Sequence, residues 1–370
     1  MRRVQGDGSI LDPDGVALSA AAGGQCFPRV ATRGGDYLVV WQDFRNNPGT
    51  VLSDVYGTRG SWSNQLSIVA EGLISGAGNA EISPVAAALG TNYLAVWADN
   101  RHAFSNDWDI CGVRLDASGS LLDSAPIWIC TATNRQSDPT VTAGQTNFFV
   151  AWSDWRKSPP TMQQPDIFGA VVSAEGIVQQ PGGIAICTVT NDQSLPSATF
   201  LGTNFFVVWQ DARLTQLPAV RVDIYGARIT VDGIILDPSG FAICTNVSIQ
   251  TNPAVAANAS CALVVWTDCR LSTAYPDLFG SRVAADGTVL DTNGLPICTV
   301  GASSQYLPAV ATDGTNFLVV WADTRAASTA PDIYGTLVSS NGIVAPAAGF
   351  VIRSAPGPQT APSADGPKPD

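Results

Sequence analysis

Six times, at intervals of 55 to 57 residues, this chain repeats an apolar run that ends in Trp-x-Asp-x-Arg. The copies read LVVWQDFR, LAVWADNR, FVAWSDWR, FVVWQDAR, LVVWTDCR and LVVWADTR, with their tryptophans at Trp41, Trp97, Trp152, Trp209, Trp266 and Trp321. A proline precedes each (Pro28, Pro84, Pro139, Pro196, Pro253, Pro308), and DVYG, DICG, DIFG, DIYG, DLFG or DIYG follows. A hairpin such as VDGIILDPSG and a short apolar piece such as FAICT close most units; the first unit departs, with the irregular TRGSWSNQLSIVAEG.

Each unit reads as four strands. Strand A follows the proline, strand B carries the tryptophan, strand C is the DIYG segment and strand D the ICT segment. Val, Ile, Phe, Tyr and Trp dominate, turn residues punctuate, and no helical period survives. Four strands per unit at this period predict an all-β chain, a β-propeller of four-stranded antiparallel blades. A β-solenoid, the competitor, has shorter rungs. The repeats span about 25–80, 81–135, 136–192, 193–249, 250–304 and 305–358 of a single domain. RVQGDGSILDPDG at the start matches RITVDGIILDPSG, so residues 1–24 are expected to supply a closing strand. QTAPSADG restarts the motif, making 359–370 the start of a further repeat or a tail. Six blades is the favoured ring; a fragment of a seven-bladed or longer array is the alternative.

Antiparallel order fixes two faces. The A–B and C–D turns share one and are short: TDGTN, ALGTN, ASGS, SNGI. The B–C and D–A loops share the other and vary: NNPGTVLS, HAFSNDW, KSPPTMQQP, LTQLPAVRV. Binding sites favour variable loops on a rigid frame, so a site is expected on the B–C/D–A face or at the central channel beneath it.

Blade faces are covered by neighbouring blades, which makes the six tryptophans core. Burying each removes about 150–250 Å² from water, an upper bound of roughly 4–6 kcal/mol at about 25 cal/mol per Å². The charges beyond them recur as trios: Asp43/Arg45/Asp54, Asp99/Arg101/Asp109, Asp154/Arg156/Asp166, Asp211/Arg213/Asp223, Asp268/Arg270/Asp277 and Asp323/Arg325/Asp332. A guanidinium fork bridges two acceptors well, and a residue needed by every blade serves the blade. The trios are read as structural clamps rather than a catalytic ring, and no catalytic residue is assigned.

Composition narrows the rest. A net charge of −12 argues against nucleic acid and anionic membrane surfaces, and no apolar run reaches the roughly 20 residues of a membrane span. His102 is the single histidine, which excludes a multi-histidine metal site. Turns such as DPDG and DTNG lack calcium-ligand spacing. No metal and no cofactor is expected. Cys130, Cys187, Cys244 and Cys298 share one strand-D slot in different blades, beyond disulfide reach of each other; with Cys26, Cys111, Cys261 and Cys269 they read as small buried hydrophobes. His102, Trp108, Trp155 and Tyr275 are the candidate binding residues of the variable face.

The order proline, TDG, apolar strand, W-x-D-x-R, DIYG resembles the TolB-type (PD40, WD40-like) β-propeller repeat of bacteria. This chain departs in its longer C–D hairpin, and only ATDG (311–314) approaches that family's SPDG turn. The resemblance implies an extracytoplasmic propeller that binds proteins. MRRVQGDGSI has the charges of a leader but no apolar segment after them. The leading expectation is therefore a non-enzymatic binding or scaffold propeller of an exported or surface-attached bacterial protein, meeting a protein or glycan through the B–C/D–A face. A glycan-active hydrolase or lyase with acids near the channel is the alternative; a structural repeat of a surface assembly is the third. An enzyme would show acids without counterparts in the other blades.

Overall fold

The computed structural model describes every residue except 48, 63–65, 70, 77, 102–106, 159–163, 217–219, 327–329, 356 and 367–370. It is an all-β propeller of six blades. Blade four shows the plan: strand A Gln193–Leu201, B Asn204–Asp211, C Asp223–Thr230 and D Phe241–Cys244, hydrogen-bonded in that order. Blade one has an additional short strand, Ser67–Ile68, beside its strand D, Gly72–Ser75. In blade six the outer strand is Val344–Arg353. Residues 1–24 are not in that sheet, contrary to the closing-strand expectation.

Strand B has apolar residues on both sides because both sides are covered. Leu263 and Val265 of blade five pack against Phe317, Val319 and Trp321 of blade six in one buried cluster. Five of the tryptophans are fully buried and Trp41 is 3% exposed. In blades three to six a glycine lies beside the indole rim: Gly240, at φ +73°, packs against the Trp209 ring, where a Cβ would collide. That glycine ends the PSG turn leading into strand D, which explains the Gly at this point of the repeat.

The prolines mark a second device. In strand A of blade four the register runs Ser194 opposite Gln210, then Ser197 opposite Val208, so Leu195 and Pro196 form a bulge of one extra residue. The same slip occurs in all six inner strands. Proline suits it because it has no N–H to leave unpaired. The residue before it is forced into the left-handed region: Phe27, Ser83, Asp138, Leu195, Asn252 and Leu307 all have φ between 52° and 54°. Its N–H is taken by the preceding blade in three cases, by Gln42 Oε1, Ser153 Oγ and Gln210 Oε1. Strand A therefore locks onto two blades at once, and the six inner strands wall a channel of about 890 Å³.

Candidate functional site at the channel mouth

At the top of every blade the tryptophan, aspartate and arginine act as one unit. The indole Nε1 donates to the aspartate Oδ2 at 2.7–3.0 Å. The arginine closes on the same carboxylate at 2.5–2.7 Å. Its guanidinium then lies over the ring of the following strand: 4.0 Å from the centroid of Tyr56, 4.1 Å from Phe168, 3.8 Å from Tyr225, 4.0 Å from Phe279 and 4.1 Å from Tyr334. Blade two carries Cys111 in the aromatic slot, and Arg101 sits 5.5 Å from Trp128 instead. These aspartates are fully buried, and the guanidinium, with two nitrogens in blades one to four and with Nη2 alone in blades five and six, joins the indole N–H in satisfying them.

The third aspartate of each trio is buried as well, but the expected bridge by one arginine across both acids is not made. Among the described residues, each trio arginine pairs with the first acid and not with the third. Asp109 is the third acid of blade two. It stands directly opposite Asp99 at the open end of strands B and C, yet the acids that Arg101 holds are Asp99 and Glu81. The other third acids are served differently. Asp54 takes Asn46 Nδ2 at 2.7 Å, Asp223 takes Arg221 at 3.1 Å and Asp332 takes Ser354 Oγ at 3.1 Å. Burial pushes Asp166 and Asp277 each up to about 6.

The physical reason is that the guanidinium is already committed. One edge grips the first aspartate and its face covers the ring of strand C, while a further N–H of Nη2 turns to the outer strand of the preceding blade in blades two to six and to the N-terminal segment in blade one. That Nη2 donates to Cys130, Cys187, Cys244 and Cys298 at 3.0–3.3 Å in blades three to six, and to Ser19 and Ser75 at 3.2 Å in blades one and two. The four strand-D cysteines are thus hydrogen-bond acceptors that tie blade to blade, beyond the passive packing expected of them.

On the opposite face an unanticipated set of ion pairs secures the C–D hairpins: Arg114–Asp123 at 2.5 Å, Arg228–Asp237 and Arg282–Asp291 at 2.8 Å, and Arg3–Asp12 at 2.8 Å. The nine-residue spacing was readable in RITVDGIILD and its relatives.

What varies from blade to blade lies elsewhere. The left-handed bulge places Phe27, Ser83, Asp138, Leu195, Asn252 and Leu307 on the channel wall, near the B–C/D–A end of each inner strand. The backbone there is identical in all six blades; the side chains are aromatic, hydroxyl, acid, aliphatic, amide and aliphatic. Asp138 accepts from Ser137 Oγ at 2.8 Å, Asn252 donates to Thr251 Oγ1 at 3.2 Å, and Arg29 reaches the channel beside Phe27. Among the described residues, the channel's carboxylates are Asp138 and Asp365.

Blade two holds a further asymmetry. Where Gln25, Gln136, Gln193, Gln250 and Gln305 begin the other inner strands, it has Glu81. Glu81 is fully buried, accepts from Ser75 Oγ at 2.5 Å and Arg101 at 2.8 Å, and is pushed up to about 7 by burial. Ser75 and Arg101 line a cleft of about 210 Å³. Glu81 points into the interface between blades one and two, toward Val55 N at 3.3 Å, and away from the channel.

The candidate binding residues do not converge. His102 lies outside the described residues. Trp108 is half-buried against the core between blades two and three. Trp155 is half-buried with Arg135 5.2 Å over its ring. Tyr275 is 48% exposed. They stand on loops of three different blades.

No sequence family and no curated protein matches the chain. Solved structures do. An α-L-arabinanase from Penicillium chrysogenum, complexed with arabinobiose, is 13% identical over 86% of this chain and 94% of its own, with a TM-score of 0.54. A thermostable family-43 glycoside hydrolase is 12% identical over 76% and 96%, TM-score 0.46. A family-43 endo-arabinanase from Bacillus licheniformis is 10% identical over 88% and 98%, TM-score 0.44. At this identity the likeness is one of fold. The likeness to the arabinanase corrects the TolB-type resemblance, and it does not bear out the expectation of a non-enzymatic binding or scaffold propeller.

Proposed function

We propose that this chain is a glycan-active propeller of the hydrolase class, which takes a sugar chain into the mouth of its central channel. The observation that carries the reading is the ring of six side chains, of five kinds, held by six like bulges. A position that the fold strains in every blade, yet fills with residues of varied chemistry, is free to follow a ligand. The ring combines an aromatic face at Phe27, aliphatic walls at Leu195 and Leu307, and hydrogen-bonding groups at Ser83, Asp138 and Asn252. Such a mixture suits a sugar, which has apolar faces and a polar rim. The channel volume is in the range of pockets for ligands of this size.

Glycoside hydrolysis uses two carboxyl groups. Asp138 on blade three and Asp365, between blades six and one, are the pair the channel offers. Asp365 is held by the Thr32 N–H at 2.7 Å; Asp138 is the freer of the two. The test is reducing-sugar release from a panel of arabinans, xylans and other plant and microbial glycans. Wild-type protein should cleave at least one, and Asp138→Asn should lose about a hundredfold or more of that rate with an unchanged unfolding midpoint. A protein that neither cleaves nor is retarded by any glycan in affinity electrophoresis would overturn the proposal.

A further inference from the structure

One step beyond the bulge, the inner strands form a second ring of equivalent positions. The residue after each proline stands opposite one slot of its strand B: Arg29 opposite Val40, Val85 opposite Val96, Thr140 opposite Ala151, Ser197 opposite Val208, Ala254 opposite Val265 and Ala309 opposite Val320. All of them line the channel. Val85, Thr140, Ser197, Ala254 and Ala309 are small and uncharged. Blade one places a long cation there instead. Among the described residues, Arg29 is the channel's one basic side chain.

Arg29 also differs from the other arginines of this fold in what it holds. The arginines of the clamps and of the C–D hairpins each grip a carboxylate. Arg29 grips none among the described residues; its Nη1 donates to the carbonyl of its own neighbour, Pro28, at 3.0 Å. The channel's acids have other partners: Asp365 is held by Thr32 and Asp138 accepts from Ser137. The surrounding wall strips water from the guanidinium, and this burial lowers its pKa with no acid to offset it. A partly desolvated cation without a counter-charge is costly to keep. A ligand that brings the counter-charge offsets that cost, so the position selects for an anion.

The surroundings set the form of the anion. One guanidinium matches one carboxylate, fork to fork. The other charges of the described channel wall are the acids Asp138 and Asp365, and the whole chain carries a net charge of −12. A phosphate dianion or a polyanion would meet repulsion from both. Phe27, 48% exposed on the same inner strand, offers a ring for the apolar face of a sugar beside that cation. We propose that the channel takes an acidic oligosaccharide, with one uronate among neutral sugars, and that Arg29 binds the uronate carboxylate. This specificity rests on the glycan reading above and names the class of sugar within it.

The probes are tetrasaccharides carrying a single glucuronate or galacturonate among neutral sugars, each compared with its own methyl ester and titrated by calorimetry into the full chain. At least one acid form should bind, about tenfold or more tighter than its ester. Arg29→Gln should bring acid and ester level. Arg29→Lys, which keeps the charge and loses the fork, should fall between. A merely structural Arg29 would shift acid and ester together, and that outcome overturns the proposal. Should the variants fold poorly, the wild-type chain carries the test. Phenylglyoxal should modify Arg29 ahead of the clamp arginines, as located by mass spectrometry, and the acid form rather than the ester should protect it. Absence of that protection overturns the proposal. If the chain binds or cleaves neutral glycans and favours no acid form, the uronate specificity falls and the glycan reading stands. If no glycan of either kind binds, both fall.

Discussion

Arg156 Nη2 donates to the sulfur of Cys130 at 3.0 Å while the same nitrogen holds Asp154 Oδ2 at 2.6 Å, so one guanidinium ties the tryptophan strand of blade three to the outer strand of blade two. Arg213 repeats the link with Cys187 at 3.2 Å and lies 3.8 Å over Tyr225. Lysine offers neither the fork nor the flat face. Arg213→Lys should therefore destabilise by about 1–3 kcal/mol, measured by the urea midpoint. Cys187→Ser, which keeps an acceptor, should cost less than Cys187→Val, which leaves a donor unmatched. Equal costs for Ser and Val would reduce the cysteine to packing.

Glu81 should make stability pH-dependent in a way the glutamine blades are not. Its carboxyl is pushed by burial to about 7 in the folded chain, above its ordinary value near 4.5. The folded state therefore binds the proton more tightly than the unfolded state. Stability from this group is present below about pH 4.5 and is lost as pH rises toward 7. Glu81→Gln, the residue of the other blades, should remove the slope and raise stability at neutral pH by up to about 3 kcal/mol. The check is urea unfolding at pH 5 and pH 8. An unchanged difference between variant and wild type at the two values would show that Glu81 is ionised throughout.

The blade was legible because its period is long, its tryptophan never varies, and turn residues stand at fixed offsets. What each repeated residue touches was less legible. Asp332 follows Arg325 closely in sequence, yet its partner is Ser354. The true second partner of Arg325, Cys298, lies 27 residues earlier and in another blade. Arg101 likewise passes over Asp109, eight positions on, for Glu81 in the inner strand. A repeat shows which residues a unit keeps; it is silent on contacts that cross between units. The channel ring was hidden for the opposite reason. Phe27, Ser83, Asp138, Leu195, Asn252 and Leu307 share a backbone but, the two leucines apart, no chemistry, so a search for what recurs passes over them. The only available signal was the fixed proline beside a changing neighbour.

The eight thiols are free, and they should separate into two classes. Cys26 and Cys269 are partly exposed; Cys111, Cys130, Cys187, Cys244, Cys261 and Cys298 are buried. Burial raises every thiol of this set for which the direction is resolved, Cys130 and Cys187 to about 11, and the thiolate is the reactive form. With an aromatic disulfide reagent at pH 8, about two equivalents should react quickly in native protein and the rest only on unfolding. Fast reaction of Cys187 would mean that the outer strands open readily.

Leu195 offers a test of the bulge itself. An aliphatic side chain at φ 52° is strained by roughly 1 kcal/mol, whereas asparagine tolerates this region and glycine is at ease in it. Leu195 is half-buried on the channel wall, so trimming it empties no core. Leu195→Asn should thus hold or raise the urea midpoint, against the usual loss on replacing a leucine. The N–H bond to Ser153 Oγ survives the change, because the backbone donates it. If the ring serves a ligand, the same variant should alter glycan affinity or cleavage while leaving the fold intact. A drop of about 2 kcal/mol or more in stability would instead place Leu195 in the packing of the blade.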